Sequence, residues 1–294
     1  MKGITKILLL LVVLSVLLVG CSPKESAPAT EGETTTETEA AANEGEAKDD
    51  NTFVVGMEAA YAPFNWTQLD DSNGAVPLDG LKEFAGGYDV QVAKLIAEGL
   101  GKELVVKKIE WDGLQPSIQS NKIDAIVAGM SPSAARREVL DFTDPYYASD
   151  LVVVVKADGP FKDATSLAEF AGAKITAMLN TLHYAAIDQI EGVDKQEPIP
   201  DFSSMRAALQ AGKIDGYISE RPEAISASAA NPAFAFNDLT DGFKMESEET
   251  TVAVGVAKGS PLVDEINEIL KGITPEKQDE LMKQAIADQP AAME

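Results

Sequence analysis

The chain has 294 residues, a formal net charge of −24 and a single cysteine. That acidity excludes a nucleic-acid partner, because no surplus of Lys and Arg is available to displace counterions from phosphates. One cysteine excludes an intrachain disulfide and a thiolate metal cluster.

Lys2 and Lys6 precede an almost unbroken apolar run, Ile7 to Val19. The run is too short for a comfortable membrane span and reads as a secretion signal over residues 1–20. It ends in Leu18-Val19-Gly20-Cys21, which resembles the bacterial lipoprotein cleavage box. The resemblance implies that Cys21 becomes a lipidated (palmitate-bearing) first residue, anchoring an extracytoplasmic protein to the membrane. A free thiol is the alternative. Residues 21–50 are rich in Ser, Thr, Ala and Glu, with hardly a large apolar side chain. Such a segment buries too little surface to offset its ordering entropy and is expected to be a disordered acidic linker.

From Asn51 the chain alternates strand and helix. Phe53–Met57 is a predicted strand, followed by an aromatic loop from Glu58 to Trp66 and a polar turn at Asp70–Gly74. Val92, Leu95, Ile96 and Leu100 form a helical stripe within Tyr88–Leu100. A strand at Leu104–Ile109, a short helix entered by Trp111-Asp112-Gly113-Leu114 and a strand at Ile123–Ala128 come next. The β-branched run Leu151–Val155 predicts a fully buried strand. Beyond it come helices near Ser166–Phe170, His183–Ile190, Met205–Ala211 and Arg221–Ala229. They alternate with strands at Lys174–Met178, near Pro198 and at Gly216–Ile218. A strand at Thr251–Ala257 and helices Leu262–Leu270 and Pro275–Ile286 close the chain. The alternation predicts an α/β protein with largely parallel sheets.

Two stretches carry the chemistry. At Ala128-Gly129-Met130-Ser131-Pro132-Ser133, a strand stops and a helix starts at Ala134, with Arg136 in its first turn. Free amides, a hydroxyl and a guanidinium converge there, which suits a small carboxylate. A capped helix with a surface arginine is the competing reading. The second stretch, Leu209 to Glu220, echoes Ile118 to Gly129: each is a helix end, a turn, Lys-Ile-Asp and a short strand. Gly129 and Glu220 fall at the same place, the carboxyl end of a strand, where open α/β sheets bind ligands. One echo offers donors and a cation, the other a carboxylate. A zwitterion satisfies both.

The residues resemble those of the family-3 extracellular solute-binding proteins, the amino-acid receptors of bacterial ABC importers. The resemblance runs from about Phe53 to Ile286. It rests on Tyr61-Ala62-Pro63-Phe64, Gly87-Tyr88-Asp89-Val90, Trp111-Asp112-Gly113-Leu114, Gly129-Met130-Ser131 with Arg136, Asp141 to Tyr147, and Lys213-Ile214-Asp215-Gly216. It implies a two-lobe periplasmic-binding-protein-like (type II) fold with two hinge crossings, near Tyr146–Asp150 and Lys244–Glu248. Lobe one is then 51–146 plus 249–294, and lobe two 151–243. It also implies partners: an ABC permease and its ATPase, and no cofactor.

By the same resemblance, Arg136 grips a ligand's α-carboxylate, and Gly129, Met130 and Ser131 supply backbone and hydroxyl contacts. Glu220 holds the α-ammonium in place of the family's usual Asp. Asn180-Thr181 matches a Gly-Thr pair that reaches the carboxylate from lobe two; Asn tolerates the left-handed backbone such a turn needs. Tyr61 and Trp111 are walls for the side chain, with core packing as the competing role. Glu58 meets the ligand's far end, and Asp112 shares its ambiguity with a solvated acid. A buried Glu58 favours a basic or amide-tipped ligand. His183, the only histidine, is expected at the cleft rim or just behind it and is a poor metal ligand alone. A glutamine or cystine receptor and a secreted dehydratase of the cyclohexadienyl type stay open on the same scaffold. So does a sensory or adhesive lipoprotein.

Overall fold

The structure, a computed structural model, describes residues 50–290. The signal segment, Cys21 and the linker through residue 49 lie outside the described residues. The chain opens with β1 (Thr52–Met57), β2 (Ala60–Tyr61), β3 (Asn65–Gln68), β4 (Val76–Pro77), β5 (Phe84–Gly86) and α1 (Tyr88–Leu100). It continues through β6 (Glu103–Lys108), α2 (Trp111–Gln119), β7 (Ala125–Ile126), α3 (Ala134–Arg137), β8 (Leu140–Ala148) and β9 (Leu151–Lys156). Then come β10 (Lys174–Thr176), α4 (Leu182–Ala186), β11 (Asp194–Lys195), α5 (Phe202–Gln210), β12 (Gly216–Glu220), α6 (Arg221–Ala230) and β13 (Phe234–Asn237). The last elements are β14 (Thr251–Ala257), α7 (Leu262–Leu270) and α8 (Pro275–Asp288).

Two five-stranded sheets share one plan. Their orders are β6-β1-β7-β14-β8 and β11-β10-β12-β9-β13. In each, a single strand runs against the other four: β14 in the first and β9 in the second. These are the strands that follow a crossing between lobes. A chain arriving from the other lobe enters at the carboxyl ends of the parallel strands, so it must run away from them. Ser149 and Thr250 lie side by side at the crossings, the Ser149 amide donating to the Thr250 carbonyl at 2.8 Å.

The Lys-Ile-Asp echo has a physical cause. Asp124 Oδ2 accepts from the Val54 amide at 2.8 Å, and Asp215 Oδ2 accepts from the Lys174 amide at 2.9 Å. Each aspartate thus ties the strand it precedes to the start of its parallel neighbour, once per sheet. The result fixes where β7 and β12 begin, and therefore where Gly129 and Glu220 end up.

Several elements differ from those the sequence predicts. The aromatic loop and the segment beyond the polar turn build a third sheet, β2-β3-β5-β4, antiparallel and made of pieces too short to show alternation. The strand near Pro198 is a single bridge between Met178 and Ile199, with β11 pairing earlier. The segment from Ser166 is a 3-10 turn at Leu167–Phe170, and α4 gives way to a 3-10 turn at Ile187–Gln189. Strand β13, where the sequence predicts none, pairs antiparallel with β9. Helix α5 starts at Phe202 rather than Met205, because Asp201 caps it: Oδ1 accepts from the Ser204 amide at 2.7 Å.

Strand β9 is buried on both faces, as its composition implies. Val152 and Val154 pack into the core that also holds Phe53, Tyr61, Phe64 and Phe202. Leu151, Val153 and Val155 face a second core with Phe170 and Ile187. Away from the cleft, Arg206 of α5 donates from Nε and Nη2 to Glu223 Oε1 of α6, at 2.9 and 2.7 Å, and the Tyr217 hydroxyl joins them at 3.0 Å. Glu223 is fully buried, so this pairing offsets a desolvation cost while holding α5 at a fixed distance from β12.

Candidate functional site

The first wall is built from strand ends of the first sheet. β1 ends beside Glu58, which is only 5% exposed. Burial pushes its carboxyl up to about 8, with the charges of Asp201, Glu110 and Asp112 acting in the same direction and Lys108 against it. Beyond Glu58, the short β2 carries Tyr61. Its ring lies over Gly129, where φ is +61° and an added Cβ would stand 2.7 Å from Tyr61 Cε1. Glycine is required there on both counts. Behind the wall, Asp89 is fully buried and accepts from Asn65 Nδ2 and the Tyr146 hydroxyl, both at 2.7 Å. The Gly129 amide donates to that same hydroxyl at 3.2 Å. The Gly-Tyr-Asp motif thus braces the Gly129 turn against β8, the strand that leads to the first crossing.

Arg136 is 9% exposed. Nη1 donates to the Ser131 carbonyl at 2.8 Å, and the guanidinium sits 5.0 Å over the Trp111 ring. Burial lowers its pKa to about 10, opposed by the charge of Glu220, so it stays cationic near neutrality. Ser131 is buried next to it. The Met130 side chain lies in the core, and its carbonyl accepts from the Ala253 amide at 3.0 Å.

The second wall comes from the other sheet. Asn180 takes the left-handed conformation, φ 57°, expected of a residue standing for glycine. Its Nδ2 donates across the cleft to Asp112 Oδ1 at 2.8 Å, and its carbonyl accepts from Arg136 Nη2 at 3.3 Å and Trp111 Nε1 at 3.5 Å. The Thr181 hydroxyl turns inward, to the Met178 carbonyl at 2.7 Å, rather than towards Arg136. Glu220 ends β12, 7% exposed. Its Oε1 lies 2.8 Å from His183 Nε2, and its Oε2 accepts from the Tyr61 hydroxyl of lobe one. Burial pushes Glu220 up, but His183 and the two hydrogen bonds outweigh it and hold the carboxyl below its usual range. His183 is therefore a direct partner of Glu220, closer to the centre than a rim position.

Two residues escaped the sequence reading. Phe202 stacks on Tyr61 with centroids 4.4 Å apart and planes 10° from parallel. Asp201 is the neighbouring acid whose charge reaches Glu58. The signal was present as an N-cap residue followed by an aromatic at a helix start after a strand. An aromatic in that place reads equally well as core. The cleft thus places a cation and a carboxylate, Arg136 and Glu220, on facing walls, with an acidic corner of Glu58, Asp112 and Asp201 to one side. Among the described residues, no group of three His, Cys, Asp or Glu is placed to hold a metal ion.

A sequence profile of the bacterial extracellular solute-binding proteins, family 3, matches residues 53–287. The chain belongs to that family. The arginine-binding extracellular protein ArtP of Bacillus subtilis (strain 168) is 25% identical over 234 residues, spanning 78% of this chain and 83% of that protein. A probable histidine-binding protein of Campylobacter jejuni is 32% identical over 193 residues, 65% of this chain and 69% of its own length. Among solved structures, an amino-acid ABC transporter substrate-binding protein from Streptococcus pneumoniae bound to L-arginine superposes with a TM-score of 0.70 at 28% identity, covering 81% of this chain and 94% of that one. An ancestral arginine-binding protein bound to glutamine gives a TM-score of 0.66 at 26% identity, covering 81% and 98%. The two-lobe fold is therefore that of amino-acid receptors, and this solute-binding protein is built on it.

Proposed function

We propose that this solute-binding protein captures an L-amino acid with a cationic side chain between its lobes and delivers it to an ABC permease and its ATPase. The observation that carries the reading is the pairing of Arg136 and Glu220 on facing walls, each within reach of the other's charge, with the buried Glu58 in a separate acidic corner beside Asp112 and Asp201. An α-carboxylate meets the first, an α-ammonium the second and a terminal cation the third. Ser131, Gly129 and the Asn180-Thr181 turn supply further polar contacts, and Tyr61 and Trp111 flank the stem. A ligand that touches both lobes favours the closed arrangement by its differential affinity for it. Glutamine is a second reading, favoured by the same raised pKa, because a protonated Glu58 can donate to an amide oxygen.

The chain is a receptor and not an enzyme on this reading. Glu220 is engaged by His183 and Tyr61, and none of the cleft acids is paired with a nucleophile. We further infer that the mature protein begins at a lipidated Cys21 and is tethered outside the membrane; no described helix is long and apolar enough to span one. A thermal-shift screen against the twenty amino acids tests the receptor reading, since a ligand bound only by the native state raises Tm. Lysine, arginine or histidine is expected to give the largest shift. Arg136→Ala is expected to abolish it while circular dichroism stays native. Retained micromolar binding by that variant, or turnover of a prephenate-like acid, overturns the proposal.

A further inference from the structure

We propose that Phe202 determines side-chain specificity: it is the lobe-two jaw that presses the ligand's aliphatic stem against Tyr61. The proposal rests on the amino-acid reading of the cleft and names what that cleft selects, the length of the stem.

Tyr61 has two ring faces. Phe64 of the same lobe stacks on one, 4.9 Å between centroids, and Phe202 of the other lobe stacks on its opposite face at 4.4 Å. Both Tyr61 and Phe202 are almost fully buried. Phe202 is therefore the group that lobe two presents to the open face of a cleft wall. Its neighbours fix its place along the ligand's path. One neighbour is His183, 6.2 Å away by ring centroid, which holds Glu220 at the α-ammonium end. The other is Asp201, next in the chain, the helix cap whose charge reaches Glu58 at the far end. A stem joining the two ends passes the Tyr61–Phe202 pair.

At 4.4 Å the rings are in van der Waals contact and leave no gap for a methylene chain. A stem enters as the lobes separate, and the rings then close on it from both sides at about 7–8 Å apart. Each added methylene gains contact with one ring from each lobe, so stem length is converted into closure. Neither Arg136 nor Glu220 can do this, because they hold groups common to every amino acid. The Arg206–Glu223 pair ties α5 to α6, and the Tyr217 hydroxyl extends it to β12, which keeps the jaw from yielding when a stem is inserted.

The test is calorimetric binding of 2,3-diaminopropionate, 2,4-diaminobutyrate, ornithine and lysine to wild type, Phe202→Leu and Phe202→Ala. These ligands carry the same groups and differ one methylene at a time. In wild type the affinity is expected to climb along the series. In Phe202→Ala the climb is expected to flatten, with about tenfold lost for lysine and less than about twofold for diaminopropionate. Phe202→Leu keeps apolar area and the core filled, so it serves if the alanine variant does not fold, and an intermediate slope is expected. Equal losses along the series would show a packing role only, and tighter lysine binding would make Phe202 a plug; either overturns the proposal. A wild-type chain that binds no amino acid overturns the parent reading, and this one with it. Wild-type binding with an unchanged slope in both variants overturns the jaw alone.

Discussion

Glu58 shows what one buried acid does to the whole. Its carboxyl is raised to about 8 by burial, so the native chain holds a proton that the unfolded chain has released above about 4.5. Between those values the folded state binds more protons than the unfolded one, and stability falls as pH rises through the window. Glu58→Gln is expected to remove that part of the slope: the Tm of the variant should exceed wild type most at pH 8.5 and least at pH 4.5. The same residue separates the two ligand readings. A terminal cation favours the ionised carboxylate, so a basic amino acid is expected to expel up to about one proton at pH 7. Glutamine is expected to expel none. Calorimetry in two buffers of different ionisation enthalpy measures the difference, and release that persists in Glu58→Gln would assign the proton elsewhere. Asp89, raised to about 6 by burial, bends the stability curve in the same direction but lies behind the wall, braced by Asn65 and Tyr146.

At the scale of elements, the site is a matter of where strands stop. Asp124 and Asp215 place β7 and β12, which bring Gly129, in the turn after β7, and Glu220, the last residue of β12, to facing walls. The Gly129 turn is the more exacting, because its left-handed backbone and the Tyr61 ring leave no place for a side chain. Gly129→Ala is therefore expected to destabilise the protein by about 1–3 kcal/mol in urea unfolding, from backbone strain and the displaced ring. It should weaken ligand binding more than it lowers stability, since Tyr61 is the residue that must move. An unchanged urea midpoint would show that the turn relaxes without strain. Much of this level was legible in the sequence: Gly129, Arg136 and Glu220 stand at recognisable element ends, and Asn180 takes the left-handed backbone foreseen for it. The bonds of the Thr181 hydroxyl and the Met130 carbonyl were not, because their partners, Met178 and Ala253, are ones that local pattern does not specify.

At the scale of the molecule, two lobes of like plan are joined where β8 passes into β9 and where the chain returns to β14. Arg221, at the start of α6, binds Asp150 of the first crossing through Nε at 2.7 Å and Nη2 at 2.6 Å, and Asp238 through Nη1. Gln289, just past α8, donates to the Ser226 carbonyl of α6 at 3.1 Å, which ties the C-terminal helix to the second lobe as well. The proposed receptor role asks in addition for a tether near the permease. If Cys21 is the lipidated N-terminus, the chain expressed with its signal in a lipoprotein-processing bacterium is expected in the membrane fraction and labelled by palmitate. Cys21→Ser should move it to the soluble fraction; the same distribution for both chains would remove the anchor from the proposal.

The amino-acid sequence by itself determined the local events: which of the longer apolar runs are strands, where caps and glycines end them, and which side chains of each chemical type stand at those ends. Short-range sterics and hydrogen bonding decide such things, and they leave a pattern within a few residues. Only the tertiary structure decided the partners. Tyr61 and Glu220 are 159 residues apart, and they meet because sheet order and two crossings bring their strands' ends together. The same arrangement sets His183 against Glu220 and Phe202 against Tyr61. No local propensity encodes those contacts, since they arise from how the two sheets face one another.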